Sequence, residues 1–141
     1  MDAFPPGRHL LLYDGVCGLC DRSVQFCLAH DQAGRFLYAP LQGETARELA
    51  ARLPLPADLE TVVLITDPGT PGERVHLKSD AFVALLRHLG GIWRVLSWLR
   101  VIPRPLRDAA YDFVAARRYR WFGRFDTCRL PAPGTAERFL P

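Results

Sequence analysis

The sequence contains no long hydrophobic run and only one lysine, Lys78. Its first apolar stretch, Leu10 to Tyr13, is too short for the core of a signal peptide, and the chain has no basic start. No apolar run approaches the roughly 20 residues that span a bilayer. We therefore expect no transmembrane segment and no signal peptide, and we expect a cytoplasmic protein.

The charge of the chain excludes little and indicates no particular partner. The net charge is only +3, and a genomic codon bias explains the excess of arginine over lysine at least as well as a binding role. The basic, aromatic stretch 117–124 could bind phosphate groups. Its arginines could equally be solvated or paired with Asp108, Asp112 and Asp126. The modest net charge favours the second reading, so we expect no nucleic-acid binding.

Length and composition predict one globular domain. The 141 residues, of which 49% are hydrophobic, suffice for an ordinary core without metals or disulfides. We expect a single domain over 1–141, with a core at about 8–90 and a helical extension and tail at about 91–141. Nothing in the composition predicts an oligomeric state.

Hydrophobic periodicity predicts alternating strands and helices in the first 90 residues. The expected order is β-α-β-α-β-β-α, which is that of the thioredoxin fold in the α/β class. The segments are strand 8–13, a helix in CGLCDRSVQFCLAHD, strand 35–39, a helix in GETARELAARLPLP ended by Pro54, strands in ETVVLIT and ERVHL, and a helix after the N-cap Ser79 that stops at Gly90.

The extension is predicted to be mainly helical. IWRVLSWLRVIP (92–103) reads as a short amphipathic helix closed by Pro103. A longer helix should follow, with Pro105 at its first position and Gly123 as its stop. The tail is rich in proline and is expected to be irregular.

The cysteines of YDGVCGLCDR, residues 13–22, stand where the first strand meets the first helix. Backbone N–H groups and the dipole at a helix start favour a thiolate, so we expect a lowered pKa for Cys17. Cys17 would attack a substrate disulfide, and Cys20, one turn later, would resolve the mixed disulfide.

Asp14 has two compatible interpretations. As part of an Asp14–Gly15 turn, its carboxylate would accept hydrogen bonds from nearby backbone N–H groups. As a supporting catalytic group, it would accept the proton of Cys20. A carboxylate close to Cys17 would also raise the pKa of that thiol, against the helix dipole.

The motif DGVCGLC resembles the D-x-x-C-x-x-C signature of the DCC family of predicted thiol-disulfide oxidoreductases. The resemblance continues over nearly the whole chain and implies a thioredoxin-like fold and an oxidoreductase activity, which in this family is itself largely inferred from the motif. The other matching segments are YAPLQ (38–42), VVLI (62–65), KSDA (78–81), IWRVLSWLRVIP (92–103), LRDAAYDFVAARRYRWFG (106–123) and the later Cys128.

One departure from thioredoxin itself concerns substrate docking. Thioredoxins place a cis-proline before the third strand, where it presents backbone to the substrate. Here Glu60 or Thr61 holds that place, since no proline lies between Pro56 and Pro68. Substrate docking should therefore differ from that of a general thioredoxin or a glutaredoxin.

The two remaining cysteines have less defined roles. Cys27 shares a helix face with Cys20 and is expected to be a core residue. Cys128, in the tail, is a possible third redox thiol that folds back to the site, or a packing residue. Four cysteines could also bind zinc, but only one C-x-x-C pair is present and the histidines have no ligand spacing.

The sequence thus favours dithiol–disulfide exchange through Cys17 and Cys20, with no organic cofactor and no metal. The expected partners are protein or small-molecule disulfides and thiols. The alternatives are a non-catalytic thioredoxin-like binding module and, third, a zinc-stabilised domain. The substrate, the electron donor and the redox direction stay open.

Overall fold

A computed structural model describes residues 8–15, 17–31, 34–55, 61–90, 92–123 and 138–139. A 3₁₀ helix, Ser97–Val101, joins the last two helices. The strands and α-helices are β1 His9–Tyr13, α1 Gly18–His30, β2 Phe36–Pro40, α2 Glu44–Ala50, β3 Val63–Thr66, β4 Arg74–Leu77, α3 Lys78–Leu89, α4 Ile92–Leu96 and α5 Arg104–Phe122.

The four strands form one mixed sheet in the order β2-β1-β3-β4. β1 and β2 are parallel, with His9 opposite Phe36, and α1 connects them. β3 runs antiparallel to both β1 and β4. This topology confirms the predicted thioredoxin-like fold, and it places the end of β1 and the start of α1 at the centre of one sheet edge.

β1, β2 and β3 bury both of their faces because helices cover each face, whereas the edge strand β4 is partly exposed. Successive side chains of a strand point to opposite sides, so β1 divides its residues between two clusters. Leu11 and Tyr13 pack with the buried thiols of α1 and with Ala81 and Leu85 of α3. Leu10 and Leu12 pack on the other face, with Leu49 of α2.

Several predicted boundaries are corrected by the structure. α2 ends at Ala50, before Pro54 is reached, and the segment 92–103 divides into α4 and the 3₁₀ helix. Pro105 is the second residue of α5 rather than the first. Gly123 does end α5, with a positive φ of 86° that favours glycine.

The prediction that Ser79 caps α3 is wrong. The helix begins two residues earlier than predicted, at Lys78, and its N-cap is Leu77, whose side chain makes no capping hydrogen bond. The Ser79 hydroxyl instead donates to the Asp108 carboxylate of α5, so a tertiary contact takes the place of the local one. Asp80 lies in the first turn of α3, as expected from its charge.

The extension packs onto the thioredoxin-like core through α5, which contacts both α1 and α3. Lys78 pairs with Asp112 at 3.0 Å, and Asp80 pairs with Arg104 and Arg107. Near the C-terminus, Phe139 forms a β-bridge with Tyr38. Within the described residues, no helix is both long and apolar enough to cross a membrane.

Candidate functional site

The dithiol is positioned by the junction between β1 and α1. Cys17 is the N-cap of α1 and has an extended backbone, with φ −90° and ψ 125°. Its Sγ accepts a hydrogen bond from the backbone N–H of Cys20 at 3.5 Å. The sulfur thus takes the position that a capping oxygen normally occupies, among N–H groups that have no partner inside the helix.

This arrangement shifts the two thiol pKa values in opposite directions. A hydrogen bond from the Cys20 side chain, helped by backbone hydrogen bonds and the Arg118 charge, lowers the pKa of Cys17 to about 6 against the opposing effect of burial. The same hydrogen bond, together with burial, raises the pKa of Cys20. One thiolate and one thiol therefore lie side by side at neutral pH.

Cys17 is completely buried, with 0% of its surface exposed, and Cys20 is 6% exposed. The end of α5 lies directly against the start of α1, where the Gly18 N–H donates to the Gly123 carbonyl at 3.0 Å. A Cβ added to Gly18 would stand 2.1 Å from the Phe122 carbonyl oxygen. Glycine at this position of the C-x-x-C motif is what allows the two helix ends to approach so closely.

The Asp14 carboxylate is also buried, at 1% exposure. It accepts hydrogen bonds from Gln42 Nε2 at 2.8 Å and from the Tyr119 hydroxyl. The Arg118 guanidinium lies 3.6 Å from it. These three partners are side chains, and the backbone partners expected from the turn interpretation stay a prediction. Gln42 also contacts the Asp14–Gly15 segment, because its side-chain oxygen accepts a hydrogen bond from the Gly15 N–H at 3.1 Å.

Arg118 and Tyr119 are the site residues that sequence reasoning missed. The sequence predicts that the arginines of 117–124 are solvated or paired with Asp108, Asp112 and Asp126. Arg118 is instead only 5% exposed and pairs with Asp14. The neighbouring Arg117 is half-buried, and its guanidinium lies over the Phe113 ring at 3.8 Å. The signal available in the sequence was the family-like segment LRDAAYDFVAARRYRWFG (106–123), which gave no indication of which arginine turns inward.

Of the other two cysteines, Cys27 lies within the described residues and Cys128 lies outside them. Cys27 is 0% exposed in the main core cluster, as predicted, and burial raises its pKa to about 12. Cys128 lies outside the described residues, so its distance from the dithiol stays a prediction. The described part of the chain contains no cluster of three or more His, Cys, Asp or Glu side chains that could hold a metal ion.

The edge where thioredoxins dock substrate is partly occupied here. The Val62 N–H, just before β3, donates to the Tyr111 hydroxyl of α5 at 3.0 Å. Thr61 beside it is buried, and Glu60 lies outside the described residues. The Tyr111 side chain of α5 thus occupies the Val62 N–H close to the place where thioredoxins bind the substrate backbone.

A cavity of about 490 Å³ lies between α1, α3, the 3₁₀ helix and α5. Its walls are mostly aliphatic and aromatic side chains, and it is partly open to solvent. Cys20 lines it, whereas Cys17 does not. The cavity therefore reaches the dithiol from the side of the more basic thiol.

The fold and this site together define a thioredoxin-like protein with a C-x-x-C pair at the start of its first helix. The profile of the DCC1-like thiol-disulfide oxidoreductase family matches residues 11–124, and the chain belongs to that family. Membership makes it a predicted thiol-disulfide oxidoreductase, for which thiols and disulfides are the suggested substrates.

Two curated relatives support this assignment. The uncharacterized protein YuxK of Bacillus subtilis is 41% identical over 135 residues, which cover 95% of each chain. A chloroplastic DCC family protein of Arabidopsis thaliana is 34% identical over 125 residues, which cover 87% of this chain and 70% of the relative. No solved structure matches the chain significantly.

Proposed function

We propose that the protein exchanges the Cys17–Cys20 dithiol with the disulfide of a substrate. The observation that supports this most directly is the opposite displacement of the two thiol pKa values at one helix start. A thiolate available at neutral pH beside a thiol that stays protonated is the pair that such exchange needs.

In the reducing direction, the Cys17 thiolate attacks one sulfur of the substrate disulfide. The substrate S–S bond breaks, and the first substrate thiolate leaves. Cys20 then loses its proton and attacks Cys17 Sγ, which releases the second substrate thiolate and leaves a Cys17–Cys20 disulfide. Two electrons pass from the dithiol to the substrate, and the reverse sequence oxidises a substrate dithiol. None of these steps requires an organic cofactor or a metal.

Asp14 supports the second step in this proposal. The hydrogen bond with Cys17, burial and the Cys17 charge raise the pKa of Cys20, and the Asp14 carboxylate adds to this effect, whereas a backbone hydrogen bond with Asp14 opposes it. Cys20 is thereby kept from attacking early, and Asp14 is the proposed acceptor of its proton once the mixed disulfide has formed. Arg118 balances the charge of both Asp14 and the Cys17 thiolate.

The wider setting is proposed on the same basis. We propose a cytoplasmic location, where the glutathione and thioredoxin systems keep thiols reduced and would return a Cys17–Cys20 disulfide to the dithiol. We also propose that 1–141 forms one domain, because α5 packs on α1 and α3 and contributes Arg118 to the site. Cys128 is retained as a possible third thiol.

A second candidate is a non-catalytic binding module that keeps the fold. The complete burial of Cys17 under the end of α5 favours it, because an attacking thiolate must reach its substrate. In that case the dithiol would be a structural element and the extension would provide the partner surface.

Trapping of mixed disulfides distinguishes these candidates. The Cys20→Ser variant should accumulate mixed disulfides through Cys17, because the resolving thiol is absent, whereas Cys17→Ser should accumulate few or none. Cys27→Ser is the matched control, since Cys27 is a buried thiol of the same helix, and it should trap nothing. If no variant traps a partner and the wild type does not reduce a model disulfide above background, the binding module is the better reading.

A further inference from the structure

The cavity beside Cys20 has the size and composition of a small-molecule site rather than of a packing defect. Its volume of about 490 Å³ lies within the roughly 300–1,000 Å³ that is usual for ligand pockets. Protein interiors are otherwise packed with few voids larger than a water molecule. Leu99 and Leu106 remain 47% and 63% exposed, so apolar surface that a ligand could cover is present at its walls.

The charges in the lining indicate a neutral ligand. Two cations line the cavity, Arg107 and Arg118, and both already have carboxylate partners. Arg107 pairs with Asp80 at 2.8 Å, and Arg118 lies 3.6 Å from Asp14. An anionic disulfide such as oxidised glutathione would have to leave water without gaining an uncompensated cation, which is unfavourable in an apolar pocket.

The docking edge argues against an extended peptide. A peptide that docks as on thioredoxin would hydrogen bond to backbone groups before the third strand. Here the Val62 N–H is already bonded to the Tyr111 hydroxyl, and both residues line the cavity. The helix α5 thus occupies one backbone donor at this edge and contributes apolar side chains to the cavity beside it.

We propose that this cavity is the substrate site and that it selects small, neutral, apolar disulfides or thiols, with the reacting sulfur against Cys20. The inference rests on the proposed dithiol–disulfide exchange and specifies its substrate class. Cys17 lies next to this wall, because its Sγ accepts a hydrogen bond from the Cys20 N–H at 3.5 Å, and the proposal requires the Cys17 thiolate to reach the substrate sulfur past Cys20. The apolar body of the substrate lies against side chains such as Phe82, Leu86 and Val114.

The first measurement compares three disulfides with the reduced wild-type protein. They are dibutyl disulfide, which is neutral and apolar, bis(2-hydroxyethyl) disulfide, which is neutral and polar, and glutathione disulfide, which is anionic. The rate constant for dibutyl disulfide should be at least about tenfold above the other two, since burial of two butyl groups contributes several methylene transfers. Intrinsic reactivity runs the other way, because glutathione is the more acidic leaving thiol.

A matched pair of variants tests the location. Ala110→Phe fills the cavity, and Ala109→Phe adds the same side chain at the exposed neighbouring position of α5, which does not line the cavity. Ala110→Phe should lower the rate with dibutyl disulfide about tenfold or more while the rate with bis(2-hydroxyethyl) disulfide is retained. Ala109→Phe should behave as the wild type with both.

The outcomes separate the two proposals. If the wild type reduces none of the three disulfides, the proposed exchange itself fails. If it reduces them without a preference for dibutyl disulfide, or if Ala110→Phe changes all rates equally, the exchange stands and the cavity assignment is overturned. A preference for glutathione disulfide over dibutyl disulfide that Ala110→Phe abolishes would overturn the neutral, apolar class in favour of a peptide disulfide.

Discussion

Arg118 and Asp14 form a buried ion pair whose charges act on the dithiol from two directions. The guanidinium favours the Cys17 thiolate, whereas the carboxylate disfavours ionisation of Cys20. Both side chains are at most 6% exposed, so water screens these interactions weakly. The Arg118 charge thus favours ionisation of Cys17, and the Asp14 charge opposes ionisation of Cys20.

We expect Arg118→Met to raise the pKa of Cys17 from about 6, by up to about one unit, because a nearby cation is lost. The variant should also be destabilised by about 3–5 kcal/mol, since Asp14 loses its charge partner in a buried position. The rate of Cys17 alkylation as a function of pH measures the first effect, and urea unfolding measures the second.

Arg117→Met is the control for this prediction, because Arg117 contacts the Phe113 ring rather than Asp14. It should leave the alkylation profile unchanged. Arg118→Lys should restore part of the wild-type profile, since it returns the charge without the planar guanidinium. A profile for Arg118→Met that coincides with that of the wild type would contradict the electrostatic role.

At the scale of elements, the site depends on two helix ends that meet. The N-terminus of α1 and the C-terminus of α5 touch at Gly18 and Gly123, and this contact lies beside the fully buried Cys17. The position between the two cysteines therefore has a steric constraint in addition to its place in the redox motif.

Gly18→Ala should displace the end of α5, because the new Cβ would overlap the Phe122 carbonyl oxygen. Overpacking of this kind costs about 1–3 kcal/mol, which urea unfolding can measure. Displacement should also expose Cys17 and increase its alkylation rate at a fixed pH.

The comparison is Gly72→Ala, where an added Cβ would meet nothing closer than 3.8 Å. That variant should change neither quantity appreciably. Equal stability and equal alkylation for Gly18→Ala and the wild type would show that α5 does not hold Cys17 covered in solution.

At the scale of the whole molecule, one buried and two half-buried histidines, His9, His76 and His88, make stability depend on pH. Burial, followed by the charges of His9 and Arg87, lowers the pKa of His88 to about 4, and burial also lowers the pKa values of His9 and His76. The rings of His9 and His88 lie 4.2 Å apart, where β1 meets the end of α3. Charging either ring therefore disturbs a contact between sheet and helix.

Stability should fall as the pH is lowered from 6.5 to about 4. In this window the unfolded chain binds a proton at His88 and the folded chain does not, so protonation favours unfolding. His88 alone should contribute a loss of up to about 3 kcal/mol, measured as the free energy of unfolding in urea at a series of pH values. The His88→Gln variant should lose less stability over the same window, and an identical pH dependence would exclude His88 as a source.

The amino-acid sequence by itself determined the order of the elements and the place of the C-x-x-C pair. Strand and helix periodicities are local properties, so β1, α1 and the hairpin β3–β4 could be predicted within a few residues. The burial of Cys27 followed from its spacing to Cys20 along one helix face. A lowered pKa of Cys17 was expected from its position at a helix start, although its largest cause is the hydrogen bond from the Cys20 side chain, ahead of the backbone N–H groups.

Only the tertiary structure decided what surrounds that pair. The Tyr119 hydroxyl donates to Asp14, which is 105 positions away in the sequence. No local pattern indicates which arginine of 117–124 turns inward. Serine is a common N-cap residue, but the packing of α5 brings Asp108 close to Ser79, and the Ser79 hydroxyl donates to that carboxylate instead. Burial of Cys17 likewise depends on where α5 ends in space, because contacts between distant elements are set by packing rather than by periodicity.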